Sequence, residues 1–302
     1  MQFTTWDTLF NIIILFFWHR VWSTNVRAAA LNPYLASLQR FSNTILRFLK
    51  PAFFFMSEKM IAVMAVVFLL MLRAFAAPRE AFDPTRYYDG WRIYMCFEVH
   101  LPGADSTNEL LLFSVLSFIL FLFKLWGLSL IYVRRDTYAH IENTTDAFYH
   151  LSRPFSSIRY EWRPGILFVI GILLALLLHF MGPTLFLHSQ DKQGLLHNQG
   201  TIDTILVLRC AVTALGTWVG ALSVLIQLVI VFIIGSWVGM FTGHQGVMIF
   251  CREWMDLLMG PLRRYPMRIG VIDLSPFVFI LGIHVTQFFL LRILWNTYSL
   301  LL

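Results

Sequence analysis

Lys124 is the residue whose type and setting most demand a chemical account. It stands within an apolar run from Leu110 to Val133, 14 residues from one end and 9 from the other. On a helix rising 1.5 Å per residue its amine would lie about 13 Å along the axis from the nearer end. Snorkelling relieves only part of such depth. A lysine at a helix centre costs about 2.5–3.5 kcal/mol on insertion scales, so something must compensate. Gln227, His179, a backbone carbonyl, a lipid phosphate or a bound anion could do so, because no Asp or Glu lies in the buried part of any apolar run. Lys124 therefore reads either as a hydrogen-bonded packing residue or as part of an ion or solute path. The lack of intramembrane acids disfavours a carboxylate-driven pump but leaves carbonyl-lined pores open.

Other chemistry-bearing residues are sparser. His179 and His284 fall at mid-depth in two apolar runs, a pattern open to bis-histidine haem ligation or to plain interhelical contacts. Cys96, Cys210 and Cys251 lie far apart without CxxC spacing, so neither a disulfide framework nor a zinc knuckle is legible. The remaining histidines suggest no metal set. Asn143-Thr-Thr matches a glycosylation acceptor, but on a loop expected to be cytoplasmic. No P-loop, Rossmann glycine pattern, GxSxG or HExxH occurs. The expectation is a non-enzyme with no cofactor.

The elements that would position these residues are membrane helices. The chain has 302 residues, 58% hydrophobic and 13% charged, with a mean hydropathy of +0.68. A soluble surface needs about 25% charge. The +6 formal charge sits beside long apolar runs, so anionic lipid, not nucleic acid, is the expected counter-charge. No basic n-region and cleavage site precede the first run, which is expected to persist. Six spans are read: Phe3 to Trp22, Met60 to Ala77, Leu110 to Val133, Gly165 to Leu187, Thr204 to Phe241 and Ser275 to Leu302. The 38 residues of the fifth would run about 57 Å as one helix against a core of about 30 Å. Its buried part is expected to begin near Gly216, after a tilted or interfacial lead carrying Arg209. Gly216/Gly220 and Gly235/Gly239 within it are GxxxG pairs suited to close helix approach, within or between chains.

Loops after the odd-numbered spans hold fourteen Lys/Arg and those after the even-numbered spans four. The positive-inside rule then places both termini outside. The chain divides into a first hairpin unit at 1–77, an extracytoplasmic loop at 78–109, a central hairpin at 110–187, a second extracytoplasmic loop at 188–203 and a last hairpin at 204–302. Each hairpin is a span, a basic loop with a proline (Pro51, Pro154, Pro261) and a second span, a threefold recurrence that reads as an internal repeat.

Upstream of each proline lies an amphipathic stretch. Leu35, Leu38, Phe41, Ile45 and Phe48 form the first apolar stripe. Val247, Phe250, Trp254 and Leu257 or Leu258 form the third, while the middle one (Tyr138, Ile141, Phe148, Leu151) is weaker. Helices of this kind lie in the headgroup plane or pack under the bundle with the apolar face inward. Arg263, Arg264 and Arg268, with Arg153 and Arg47 in the other loops, then sit where lipid phosphates or partner proteins would meet them. After Pro261, Gly270 permits a turn, Ser275 is placed as an N-cap with Pro276 at N1, and Asp273 adds negative charge near that helix start.

The run GPLRRYPMRIGVIDLSPFVFIL, from Gly260 to Leu281, strongly resembles the signature of the YggT (YlmG-like) family of small membrane proteins. Those proteins are built from a hairpin unit with a Pro-Leu-Arg loop and an Asp-x-Ser-Pro start to the second helix. Ser236-Trp237 resembles the family's Ser-Trp at the end of the preceding span. Asn32-Pro33 and Leu46 to Pro51 make the first hairpin resemble a degenerate copy, while the central hairpin keeps Ser152-Arg153-Pro154 and would be an extra unit. The spans and their repeat predict an all-α membrane protein of six transmembrane helices, arranged as three helical hairpins with interfacial amphipathic helices. Three units depart from the one or two usual in the family. The resemblance implies a role in the cell envelope, division, osmotic tolerance or, as in plastids, assembly of photosynthetic cytochrome complexes. The expected function is a non-enzymatic inner-membrane scaffold or assembly factor. Its partners would be anionic lipids, other membrane proteins or further copies of itself. The alternative is an ion or small-solute channel or transporter.

Overall fold

The computed structural model describes residues 2–22, 32–51, 53–76, 107–131, 150–151, 162–181, 204–260, 267–269 and 272–301. The described residues are all-helical apart from one minimal β-hairpin. In chain order the described helices are α1 (Gln2–Trp22), α2 (Pro33–Leu49), α3 (Glu58–Ala76), α4 (Thr107–Ile131), α5 (Arg163–Met181), α6 (Thr204–Phe241), α7 (Gln245–Met259) and α8 (Ser275–Ser299). Between α7 and α8, β1 (Arg268–Ile269) pairs antiparallel with β2 (Ile272–Asp273).

Local chemistry sets several boundaries. The Asn32 side chain accepts hydrogen bonds from the N–H groups of Tyr34 (3.1 Å) and Leu35 (3.3 Å), and Pro33 follows at the first helical position. The Ser57 hydroxyl accepts from the Met60 N–H at 3.3 Å and so caps α3. Between α6 and α7 the chain reverses through Gly243, whose φ of 70° glycine adopts without strain. Gly260, at φ 46°, stops α7.

α6 runs unbroken over the whole expected fifth span and packs against α4, α5, α7 and α8. Within the protein its burial starts at Cys210. The cause is α8, whose end packs over the lead: Tyr298 and Val212 are buried together. Arg209 also donates from Nε (2.8 Å) and Nη2 (2.5 Å) to the Leu301 carbonyl. α4 is enclosed by α1, α3, α5 and α6, with Phe118 and every residue from Leu120 to Leu128 buried. α6 and α8 are the two described helices both long and apolar enough to cross a membrane. Shorter apolar stretches occupy Leu9–Trp22 in α1, Ser114–Leu128 in α4 and Arg163–Leu177 in α5.

α2 and α7 meet under this bundle. Phe41 of α2 stacks on Phe250 of α7 (centroids 4.8 Å apart, 9° between planes), and Phe16, Phe232 and Trp254 extend the aromatic layer. Phe250, Trp254, Leu257 and Leu258 are buried, and Val247 packs against the core. On α2 the expected stripe fails at its end. Leu35 and Leu38 are buried and Phe41 and Ile45 half-buried, but Phe48 is 81% exposed and Leu46 is buried instead. At about 100° per residue the series Leu35, Leu38, Phe41, Ile45, Phe48 turns about 140° away from its starting face. Phe48 therefore points off the core.

Candidate functional site

The described part of the motif segment is a two-strand hairpin leading into α8. α7 ends at Gly260, and the chain returns to pair Arg268 with Asp273 and Ile269 with Ile272. Gly270 and Val271, which lie between the two strands in sequence, are outside the described residues. The pairing places Arg268 opposite Asp273 in the backbone register. The Leu274 N–H donates to the Met267 carbonyl at 2.8 Å, and the Met267 N–H donates to the Ser275 hydroxyl at 3.0 Å. Ser275 is therefore not the N-cap expected for it. Leu274 occupies that position without a side-chain hydrogen bond, and Ser275 and Pro276 are the first two helical residues. The hydroxyl is spent on closing the hairpin against α8. Pro276 still costs nothing, because the first four helical N–H groups have no intrahelical partner.

A second feature of this unit is how tightly α7 folds back on α6. A Cβ at Gly239 would lie 2.8 Å from the Met248 backbone nitrogen, and one at Gly235 would lie 2.7 Å from Cys251 Sγ. The Gly235/Gly239 pair thus serves intramolecular packing. Burial pushes the Cys251 thiol from its ordinary 9.0 up to about 11. At pH 8 its thiolate, the reactive form, is about a hundredfold scarcer than at an unshifted thiol. Maleimide labelling of Cys251 in the folded protein at pH 8, read by peptide mass spectrometry, should therefore be slowed by at least about that factor and should accelerate as pH rises toward 11. Labelling at the rate of a free thiol would show that α7 leaves α6. The same shift adds stability that is full below the unfolded value and is lost as pH climbs through the folded one. On α2, Tyr34 sits edge-on to Trp254. Its phenol is pushed up first by burial and then by the nearby Glu253 charge.

Residues 212–294, from within α6 to within α8, match the CCB3/YggT family model. The chain carries a YggT-family domain. No curated protein and no solved structure matches the chain. The domain contains the motif hairpin, the α6–α7 reversal and the glycines that permit it.

Of the expected site residues in the YggT domain, Ser275 and Pro276 are buried at the start of α8, and Arg268 and Asp273 face each other in the hairpin register. Pro261, Arg263, Arg264 and Gly270 lie outside the described residues, as does Arg153 of the central loop. Arg47 is exposed on α2. Lys124 is 7% exposed, well inside α4. His284 is exposed on α8, whose main packing partner is α6, and the His179 side chain lies outside the described residues.

The sequence reading missed two polar clusters outside the YggT domain. Arg73, 4% exposed near the end of α3, donates from Nε to the Ser114 hydroxyl of α4 (3.0 Å) and from Nη1 to Asn11 Oδ1 of α1. Ser114 in turn donates to the Leu70 carbonyl at 2.6 Å. The available signal was a polar residue within each of three apolar runs: Asn11 midway along the first, Arg73 near the end of the second and Ser114 early in the third. At the opposite ends of α1 and α3, Arg20 Nη2 donates to Asn43 Oδ1 and to Glu58 Oε2 (3.0 Å), tying α1, α2 and α3 together. Beside that second cluster the buried His19 ring lies edge-on to His150, with centroids 5.0 Å apart.

Proposed function

We propose that this protein is a non-enzymatic scaffold or assembly factor of a bacterial inner membrane. In this reading it is a six-span protein of three hairpin units, with both termini extracytoplasmic and the basic loops facing the cytoplasm. The supporting observation is the aromatic layer in which α7 of the YggT domain stacks on α2 of the first unit, Phe250 on Phe41. That layer joins the two units' connecting helices into one platform, from which Arg47, Arg153, Arg263, Arg264 and Arg268 would engage anionic lipid headgroups and other membrane proteins. In-membrane crosslinking followed by gentle purification tests it. A distinct protein partner should co-purify with the native chain and be lost from an Arg263→Gln/Arg264→Gln variant. Recovery of homo-oligomer alone would count against the scaffold.

A second reading, an ion or small-solute channel, is favoured by one observation: a lysine is kept in the most enclosed stretch of α4, among Phe121, Leu122, Phe123, Leu125 and Trp126. Liposome flux that disappears in Lys124→Leu would favour it; flux absent from the native protein would dismiss it.

A further inference from the structure

The turn from α2 to α3 presents a surface that the core does not use. Phe48, Phe54 and Phe55 are 81%, 82% and 69% exposed, three large aromatic side chains within eight residues. The turn is well held. The Lys50 N–H donates to the Leu46 carbonyl (2.8 Å), the Phe53 N–H to the Lys50 carbonyl (3.2 Å) and the Met56 N–H to the Phe53 carbonyl (3.0 Å). Phe53 and Met56 pack inward against the core, which leaves the two residues between them, Phe54 and Phe55, turned outward with their rings 5.6 Å apart.

The charges around these rings are mostly positive. Arg47, Lys50 and Lys59 are all exposed, and Glu58 is the one acid in the segment from 47 to 60. Glu58 is already engaged: its Oε2 accepts from Arg20 at 3.0 Å, and its Oε1 lies 3.6 Å from the Lys50 amine. Because Arg20 ends α1 and Glu58 begins α3, the turn lies at one end of that antiparallel pair. In the membrane this is the headgroup level, where aromatic rings reach the acyl boundary and Lys/Arg meet phosphates.

We propose that the α2–α3 turn is a binding site for an anionic phospholipid. Phe48, Phe54 and Phe55 would lie along its acyl chains, and Arg47, Lys50 and Lys59 would neutralise its phosphate and charged headgroup. The inference rests on reading the basic loops as lipid-facing, and it assigns the contact to the first unit rather than to the YggT domain. It also accounts for an apolar ring at position 48 turned away from the core.

The test is native mass spectrometry of the delipidated full chain in detergent, titrated with phosphatidylglycerol and phosphatidylcholine of matched acyl chains. The native protein should favour phosphatidylglycerol. Each cation near an anionic surface contributes about fivefold, so Arg47→Gln/Lys50→Gln/Lys59→Gln should cut that preference at least tenfold. Phe54→Ser/Phe55→Ser should weaken both lipids alike and leave the ratio intact. The charge-keeping variant Arg47→Lys/Lys50→Arg/Lys59→Arg should retain the preference. If the neutralised triple variant does not fold, the single Lys59→Gln, at a position with no ion pair among the described residues, reads the same effect at about fivefold. An undiminished preference in the neutralised turn overturns the site. If Arg263→Gln/Arg264→Gln abolishes the preference instead, lipid binds at the YggT domain and the scaffold reading survives without this site. Displacement of phosphatidylglycerol by an equal concentration of inorganic phosphate would mean a phosphate site without an acyl component, which also overturns the proposal.

Discussion

Gly239→Ala should destabilise the α6–α7 unit by about 1–3 kcal/mol, the usual range for forcing a methyl into a packed interface. The added carbon would meet the Met248 backbone nitrogen at 2.8 Å and the Met248 Cα at 3.2 Å. A backbone obstacle cannot rotate away as a side chain can, so α7 must lift from α6, and Phe250 and Trp254 lose their place in the aromatic layer. Thermal unfolding in detergent, followed by tryptophan fluorescence, measures the loss. Two comparisons make the result specific. Gly246, with nothing within 4 Å of its would-be Cβ, should accept alanine within about 0.5 kcal/mol. Gly235→Ala, which meets the Cys251 sulfur at 2.7 Å, should be rescued by Cys251→Ala, whereas Gly239→Ala should not. Equal stability of the Gly239 and Gly246 variants would refute the packing described.

Asn11→Leu should cost about 1.5–3 kcal/mol, the usual contribution of a hydrogen bond to a charged group. It removes an acceptor from the Arg73 guanidinium, which is 4% exposed among α1, α3 and α4. Arg73→Lys should also lose stability, because an ammonium on a flexible stem cannot reproduce the planar fork that reaches both Asn11 and Ser114. A double-mutant cycle between Asn11→Leu and Arg73→Leu should give a coupling of at least about 0.5 kcal/mol, since groups sharing a network are not additive. Additive losses in the same unfolding assay would show that the two side chains do not act together.

Much of the secondary structure was legible because it depends on each segment's own residues. The apolar run from Thr204 to Phe241 appears as α6 with the expected boundaries, and the Ser275-Pro276 segment opens α8. The stripe Phe250, Trp254, Leu257, Leu258 matches the buried face of α7 because its three- and four-residue steps alternate and keep to one side. The stripe on α2 was misread at Phe48, where the accumulated three-residue steps rotate off that face. Ser275 was misread for a different reason. Its hydroxyl could serve the helix or the hairpin, and only the return of Met267 to within 3.0 Å decides for the hairpin.

The sequence by itself determined the membrane character of this protein, the identity of its YggT motif and the span of its longest helix. Composition, local spacing and unbroken apolar length each act within a short stretch of chain. The tertiary structure alone decided what each small or polar residue is for. Gly235 and Gly239 could have served a dimer and instead admit α7. Arg209 clasps the Leu301 carbonyl 92 residues away, and Arg73 reaches Asn11 62 residues back. Such partners are chosen by which helices the topology brings side by side, and no local pattern encodes that choice.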